Sequence, residues 1–357
     1  MKQRLLLLVL LGAAVFGAVQ LLSGGDHADG ERPSRPEVPV DDVPQRGGGP
    51  TDGSAARATP FSNAAECRPC HEAVYSEWKR SYHGMAWTDP MVQALSKGFR
   101  MTECIDCHAP QPIHITGVDK RVAPRQHGRG DGVDCLTCHL LADGISVAAS
   151  RDVDTSLVAG ACRPQKEATM DISTVCAGCH NQHETVDELL ASGVEAECQT
   201  CHMPEVERVS GDAADAAVPG RSHVFPGAHS EEMHRRALEL KVRLADGRVI
   251  ADITNVGAAH KVPTDARHRS YNVWISAWDS RGNAYVTEQQ IDEIRLYYRD
   301  DFRPSTQIAH NETRTALWEI PEGFKGRVEV KLTYALNPEE LAAGRVFDVH
   351  KGEVEIQ

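Results

Sequence analysis

Positive charge is scarce in this chain. Its 357 residues carry 38 Lys and Arg against 51 Asp and Glu, a formal net charge of -13. No basic face can be assembled from that balance, which excludes nucleic acid as a partner. The deficit is uneven: residues 1–230 hold 20 bases and 30 acids, residues 231–357 hold 18 and 21. Cysteine is missing from everything after Cys201, so no disulfide can staple the C-terminal part. Large apolar side chains are nearly missing from residues 24–60, where Gly, Pro, Asp and Arg prevail. Such a segment cannot bury enough surface to offset its ordering entropy, and it reads as a disordered tether.

A long apolar run occurs at the start. Lys2 and Arg4 precede an 18-residue stretch, Leu5 to Leu22, broken only by Gln20. That length lies at the lower edge of a membrane span and above the usual core of a secretion signal. The two bases would stay inside and send the rest of the chain out. No cysteine follows closely, which excludes a lipoprotein anchor. Residues 1–23 therefore read as an uncleaved anchor or a cleaved signal. Both put the folded part outside the cytoplasm, on the periplasmic side; an anchor would tether it to the inner membrane.

Against these absences stands an excess. Ten of the 11 cysteines fall in five copies of Cys-x-x-Cys-His: Cys67/Cys70/His71, Cys104/Cys107/His108, Cys135/Cys138/His139, Cys176/Cys179/His180 and Cys198/Cys201/His202. Chance at this composition gives about 0.02 copies. The pattern reads as c-type haem attachment. Two thiols three positions apart reach the two vinyl groups of one porphyrin, and the adjacent His takes the iron. Zinc ribbons pair two Cys-x-x-Cys units, so five units fit zinc poorly and leave each His without purpose. Disulfides in an exported protein would also leave the histidines idle. The expected cofactors are five covalent haems, each with its iron. Five haems between residues 67 and 202 are so dense that they must supply much of the core and pack against one another. Cys162 stands outside the pattern and reads as a buried thiol.

A second axial ligand makes an electron-transfer haem, and an open position makes a reaction site. Five histidines outside the motifs are distal candidates: His83, His127, His183, His223 and His229, with His114 and His260 in reserve. His83 is the strongest. It ends a stretch in which Val74, Trp78 and Tyr82 recur at spacing four, predicting a helix with one apolar stripe. His127, His183 and His114 could equally be surface or structural residues. His260 sits in a Gly-containing loop, where it either reaches a haem or only packs. His234 is expected to face solvent on a short helix.

The first motif, then Trp78, then Ser81-Tyr82-His83 with a small-residue turn, resembles the cytochrome c554 family of multihaem cytochromes. Gly132-Val-Asp-Cys135-Leu-Thr-Cys138-His139 is similar to that family's third motif. The resemblance spans roughly Asn63 to Met203. It implies that His83 ligates a neighbouring haem rather than its own. The chain departs from the family in its fifth motif, at Cys198, and in its C-terminal domain. Cys201-His202-Met203-Pro204 resembles the last motif of pentahaem nitrite reductases, where a downstream His supplies a distal ligand; His223 or His229 would fit that role. All five motifs end in His, and none carries the Lys ligand of typical members.

From about Arg235 the pattern changes to period two. Ala237–Leu244, Val249–Val256, Asn272–Trp278, Thr313–Ile320 and Arg327–Tyr334 read as strands. Asp246-Gly247 and Asp279–Gly282 read as turns, and Gln289–Tyr298 is ambiguous. The expected class is α+β and multidomain: residues 1–23 signal or anchor, 24–60 tether, 61–234 a haem-packed helical and loop segment, 235–357 an antiparallel β-sandwich-like domain. The expected function is electron transfer between a quinol-linked or cytochrome donor and an extracytoplasmic acceptor. The alternatives are a reductase or oxidase of a small nitrogen or sulfur compound at one five-coordinate haem, or an electron-transfer subunit of a larger complex. The reading favours carrier over catalyst.

Intact mass of protein matured in a host with haem-ligation machinery is expected to show five haem additions. Four or fewer in a homogeneous sample would refute the count.

Overall fold

The computed structural model describes residues 61–158, 160–182, 184–208, 218–264, 266, 268–296 and 304–357. The apolar run and the tether lie outside these residues. Among the described residues no helix is long and apolar enough to cross a membrane. The architecture is α+β, with short helices in the first half and antiparallel sheets in the second.

The helices are α1 Glu72–Arg80, α2 Pro90–Leu95, α3 Ile105–His108, α4 Ile113–Thr116, α5 Cys135–His139, α6 Thr174–His180, α7 Thr185–Ala191, α8 Cys198–His202, α9 Glu231–Ala237 and α10 Pro338–Ala342. Four of the five motifs end in one of them, at α3, α5, α6 and α8; the first leads into α1. Short helices need caps, since few internal hydrogen bonds offset their unpaired N–H groups. Asp134 caps α5 by accepting from Thr137 N–H at 2.9 Å, and the Thr137 hydroxyl accepts Asp134 N–H. Glu197 and Thr200 form the same reciprocal cap on α8. Two small ladders separate these helices: β1 Val147–Ala149 pairs with β2 Pro164–Lys166, and β3 Glu205–Arg208 pairs with β4 Val218–Arg221.

The predicted helix around Trp78 is shorter than its apolar stripe. α1 stops at Arg80 because the Ser81 hydroxyl turns back onto Trp78 O at 2.7 Å while Ser81 takes extended dihedrals. Gly84 then presses against Trp78 O, where any Cβ would collide. Tyr82 therefore leaves the stripe and is exposed, whereas Trp78 is buried and donates to Val133 O at 2.7 Å.

In the second half, β5 Leu238–Ala245, β6 Arg248–Asn255 and β9 Thr313–Glu319 make a three-stranded antiparallel sheet in the order β5-β6-β9. β7 Ser270–Asp279, β8 Ala284–Arg295, β10 Gly326–Ala335 and β11 Phe347–Ile356 make a four-stranded one in the order β11-β10-β7-β8. Leu238, Val249, Ala251 and Ile253 of the first meet Val273, Ile275, Val328, Val330 and Leu332 of the second in one apolar core. This is the interleaving of a two-sheet sandwich. Asp246 and Gly247 form the two-residue β5–β6 turn at φ +53° and +72°, as a hairpin of matching twist requires.

β11 is an addition to the strands read from sequence. A bulge opposite Leu332/Thr333 leaves Val349 as an extra residue. Inward positions are then Phe347 and Val349 before it, and His350, Gly352, Val354 and Ile356 after it, so the alternation changes phase midway. β8 resolves the ambiguous stretch; three register shifts and a largely exposed face hide its period. His234 corrects the expectation of a solvent-facing residue. It is buried, with Nδ1 2.8 Å from Tyr271 Oη, Nε2 2.9 Å from Ala228 O, and its ring 3.8 Å from that of Tyr334. The described residues fall within one compact unit that includes both halves.

Leu332 is fully buried at the centre of the sandwich. Leu332→Ala is expected to cost about 2–5 kcal/mol in denaturant unfolding followed by circular dichroism, with covalent haem unchanged. A loss below about 1 kcal/mol would place Leu332 outside the core.

Candidate functional site

The motif helices bring their thiols together across motifs. The Cys135 thiol neighbours that of Cys67, the Cys179 thiol that of Cys107, and the Cys176 thiol that of Cys198. Motif one therefore adjoins three, two adjoins four, and four adjoins five. No disulfide joins the described cysteines, and among the described residues no cluster of three His, Cys, Asp or Glu side chains is placed to hold a bare metal ion.

The imidazoles face one another in three pairs. His83 and His180 have ring centroids 6.0 Å apart, His139 and His223 6.3 Å, and His202 and His260 6.4 Å. Direct stacking would bring rings closer. The gap fits one metal atom held from both sides by bonds of about 2 Å. In each pair one ring belongs to a Cys-x-x-Cys-His motif, and the other comes from elsewhere in the chain. The residues present thus fit an iron held in a porphyrin plane.

Main-chain carbonyls orient the rings. Nδ1 of His108 lies 2.8 Å from Ala86 O, that of His139 2.8 Å from Ala148 O, and that of His202 2.6 Å from Pro226 O. Nδ1 of His223 lies 2.9 Å from Arg221 O, and that of His260 2.9 Å from Lys261 O. A carbonyl only accepts, so each Nδ1 carries the proton and each Nε2 keeps its lone pair for a metal. Burial pushes His83 down to about 3, with the His180, His223, His108 and His202 rings acting the same way. Burial and His139 likewise bring His223 down to about 4. Both are neutral near pH 7, the form that binds metal.

The other distal candidates sit differently. His127 is exposed. His229 stacks on Tyr82 at 3.4 Å, and burial lowers it to about 4. His114 turns Nε2 toward Cys138 O at 3.2 Å. His183 lies outside the described residues. His260, held in reserve on the sequence, is the residue that pairs with motif five. Its loop is fixed to the helical half: Lys261 N–H donates to Glu188 Oε2 at 2.8 Å, Lys261 Nζ meets Glu188 Oε1 at 2.8 Å, and the Thr185 and Thr264 hydroxyls are 2.7 Å apart. Cys162 is half-buried and near motif one; burial raises its thiol, with Cys67 and Cys70 adding to the rise.

Two groups escaped the sequence reading. Glu77 on α1 accepts His223 N–H at 2.7 Å and contacts Arg208 at 3.0 Å. Nothing local marks it, because its partners are more than 130 positions away. Phe99 is fully buried at φ +57°, in a Lys97-Gly98-Phe99 turn with all three residues left-handed. Its ring stacks on Trp87 at 3.9 Å and stands 5.8 Å from His108. A left-handed Phe is uncommon and costly, a sign of a conformation imposed by its surroundings.

Residues 66–140 match the family model for cytochrome c554 and c-prime, and residues 170–207 match that for a doubled CXXCH motif. The chain is similar in structure to a penta-heme cytochrome c552 from Thermochromatium tepidum, with 22% identity and a TM-score of 0.61 over 83% of this chain and 99% of that one. Superoxide reductase from Nanoarchaeum equitans aligns with 34% of this chain and 94% of its own, at 13% identity and a TM-score of 0.20, a value too low to relate the folds. No curated protein matches the chain.

His260→Ala is expected to turn one low-spin haem high-spin in the low-temperature EPR spectrum of the oxidised protein, with covalent haem retained. His83→Ala should do the same to a different haem. An unchanged spectrum in either variant would make that residue a packing residue.

Proposed function

We propose that the chain is a multihaem c-type cytochrome that carries electrons along five covalent haems between a protein donor and an extracytoplasmic acceptor. The observation that carries this reading is the set of three facing imidazole pairs, at the third, fourth and fifth motifs. An iron with both axial positions filled offers no site to a substrate and changes little between its redox states. Each haem, when bound, supplies a one-electron ferric/ferrous couple.

The chain's own residues supply attachment, axial ligands and proximity. The five cysteine pairs would hold the haems, with His71, His108, His139, His180 and His202 as proximal ligands. His83 would be the distal partner of His180, His223 that of His139, and His260 that of His202. The contacts between Cys67 and Cys135, Cys107 and Cys179, and Cys176 and Cys198 favour haems close enough to pass electrons directly. Residues 61–234 act as the haem segment, and residues 235–357 as a sandwich latched to it through His260. Residues 1–23 direct the protein outside the cytoplasm, where it meets quinol-linked or other cytochrome partners.

One observation favours a second reading at a single motif. Among the described residues no other imidazole faces His108 across a gap like those of the three pairs. Phe99 and Trp87, with Arg129 5.7 Å from the Trp87 ring, form an aromatic wall there instead. A haem on His108 would then be five-coordinate and open to a small nitrogen or sulfur compound. The acidic balance of this half opposes an anionic substrate, because a negative field lowers its local concentration.

A potentiometric titration of the full chain is expected to show five one-electron haem couples. Nitrite or hydroxylamine turnover should be no more than trace. Fast cyanide binding at one haem, together with turnover above about 1 per second, would overturn the carrier reading and establish the His108 haem as a catalytic site.

A further inference from the structure

Arg208 closes β3 with its side chain only 10% exposed. Nη2 lies 3.0 Å from the Glu77 carboxylate and 3.3 Å from Arg221 O. Nε and Nη1 are buried and have no hydrogen-bond partner. A guanidinium is a permanent cation with five N–H donors, and leaving buried donors unpaired is costly. Glu77 does not explain the spare donors, since it is already engaged by Nη2, by His223 N–H and by the Ser222 hydroxyl at 3.4 Å.

The position of these donors identifies what they await. Arg208 Nη2 and His223 N–H share the Glu77 carboxylate, and Arg208 Nη2 and His223 Nδ1 share Arg221 O, so the guanidinium lies beside that ring. His223 in turn faces His139 of the third motif at 6.3 Å. The missing partner is therefore an anion beside that imidazole pair, in the half of the chain where acids outnumber bases. Nε and Nη1 lie on different edges of the planar fork, so one carboxylate, which matches two parallel N–H bonds on a single edge, cannot serve both. Two carboxylates fit this chemistry, and a c-type haem brings two as its propionates.

We propose that Arg208 binds the propionates of the haem attached at Cys135 and Cys138, one carboxylate at Nε and the other at Nη1, while Glu77 holds the guanidinium in place through Nη2. This rests on the haem reading of the third motif. Arg208 thereby becomes a cofactor-positioning residue that also raises the potential of that haem, because a fixed buried cation favours the ferrous state. Arg125 shows the same arrangement in weaker form: Nη1 pairs with Asp134 at 2.6 Å, Nη2 donates to Gly132 O at 2.6 Å, and its buried Nε is unpartnered.

The test uses the full-length, haem-loaded chain with two readouts, spectroelectrochemical titration and the propionate-bending band in resonance Raman. Arg208→Gln is expected to lower the ferrous-to-ferric ratio of one haem about tenfold at fixed potential, about 59 mV for one electron, and to shift the band. Arg208→Lys keeps the charge but loses the fork, so the band should shift while most of the potential is retained. Arg151→Gln is the control for charge alone, since Arg151 is exposed and its Nη1 meets only Pro219 O, at 2.8 Å; its band should not move. An unchanged band in Arg208→Gln, with a potential shift no larger than that of Arg151→Gln, would overturn the proposal. So would a wild-type potential that follows added chloride or phosphate while that of Arg208→Gln does not, since the donors would then hold a free anion. If Arg208→Gln does not mature, an unchanged band in Arg208→Lys overturns it. Failure of the haem reading would appear separately, as wild-type protein lacking covalent haem on the Cys135–His139 peptide.

Discussion

A hydrogen bond from imidazole Nδ1 to a main-chain carbonyl recurs across this molecule, and the site depends on it. His108, His139, His202, His223 and His260 all make it, to Ala86, Ala148, Pro226, Arg221 and Lys261. Each bond selects a tautomer, stops ring rotation and leaves the Nε2 lone pair as the one suited to a metal. The acceptors lie in irregular segments, at the end of β4 and within the three-residue β1, which explains why a half with little regular structure has definite geometry. The loops are not filler between motifs. They are the parts that aim the rings.

The two halves solve the burial problem differently. The sandwich has a continuous apolar core of Val, Ile, Leu and aromatic side chains, every one of its buried members from Leu238 onward. The helical half has isolated buried residues such as Trp78, Phe99, Ile105, Val122 and Leu136, together with buried ion pairs and caps such as Arg125–Asp134. Side chains alone give that half a thin interior. Porphyrin rings, which are large and apolar, suit it as the remaining filling. Buried polar atoms without a partner, such as Arg208 Nε and Nη1, fit the periphery of those rings.

Attachment chemistry and strands were legible because both are local. Cys-x-x-Cys-His is complete within five positions, and β5, β6, β7, β9 and β10 each carry enough local alternation and β-branched or aromatic content to be read as strands. β11 was hidden by its bulge, which changes the phase of the alternation at Val349. The end of α1 was hidden because Ser81 stops the helix while the apolar spacing continues to Tyr82. Imidazole pairing was the least legible feature. His83 and His180 are separated by most of the helical half, and His202 meets His260 only after the chain has entered the sandwich. Nothing in the immediate neighbours of His260 separates it from His127, which is exposed. Its loop is anchored by Glu188 and Thr185, in a helix far back along the chain.

The placement of His260 has a consequence for how the molecule is made. Synthesis proceeds from the N-terminus, so the fifth motif emerges before the loop that faces it. The sandwich can complete its core from its own residues, and Lys261–Glu188 and Thr185–Thr264 join its loop to the helical half. With a haem between His202 and His260, that joint would gain its last contact only after the fifth ligation step, so the position of one histidine would couple cofactor attachment to the docking of the later-made domain.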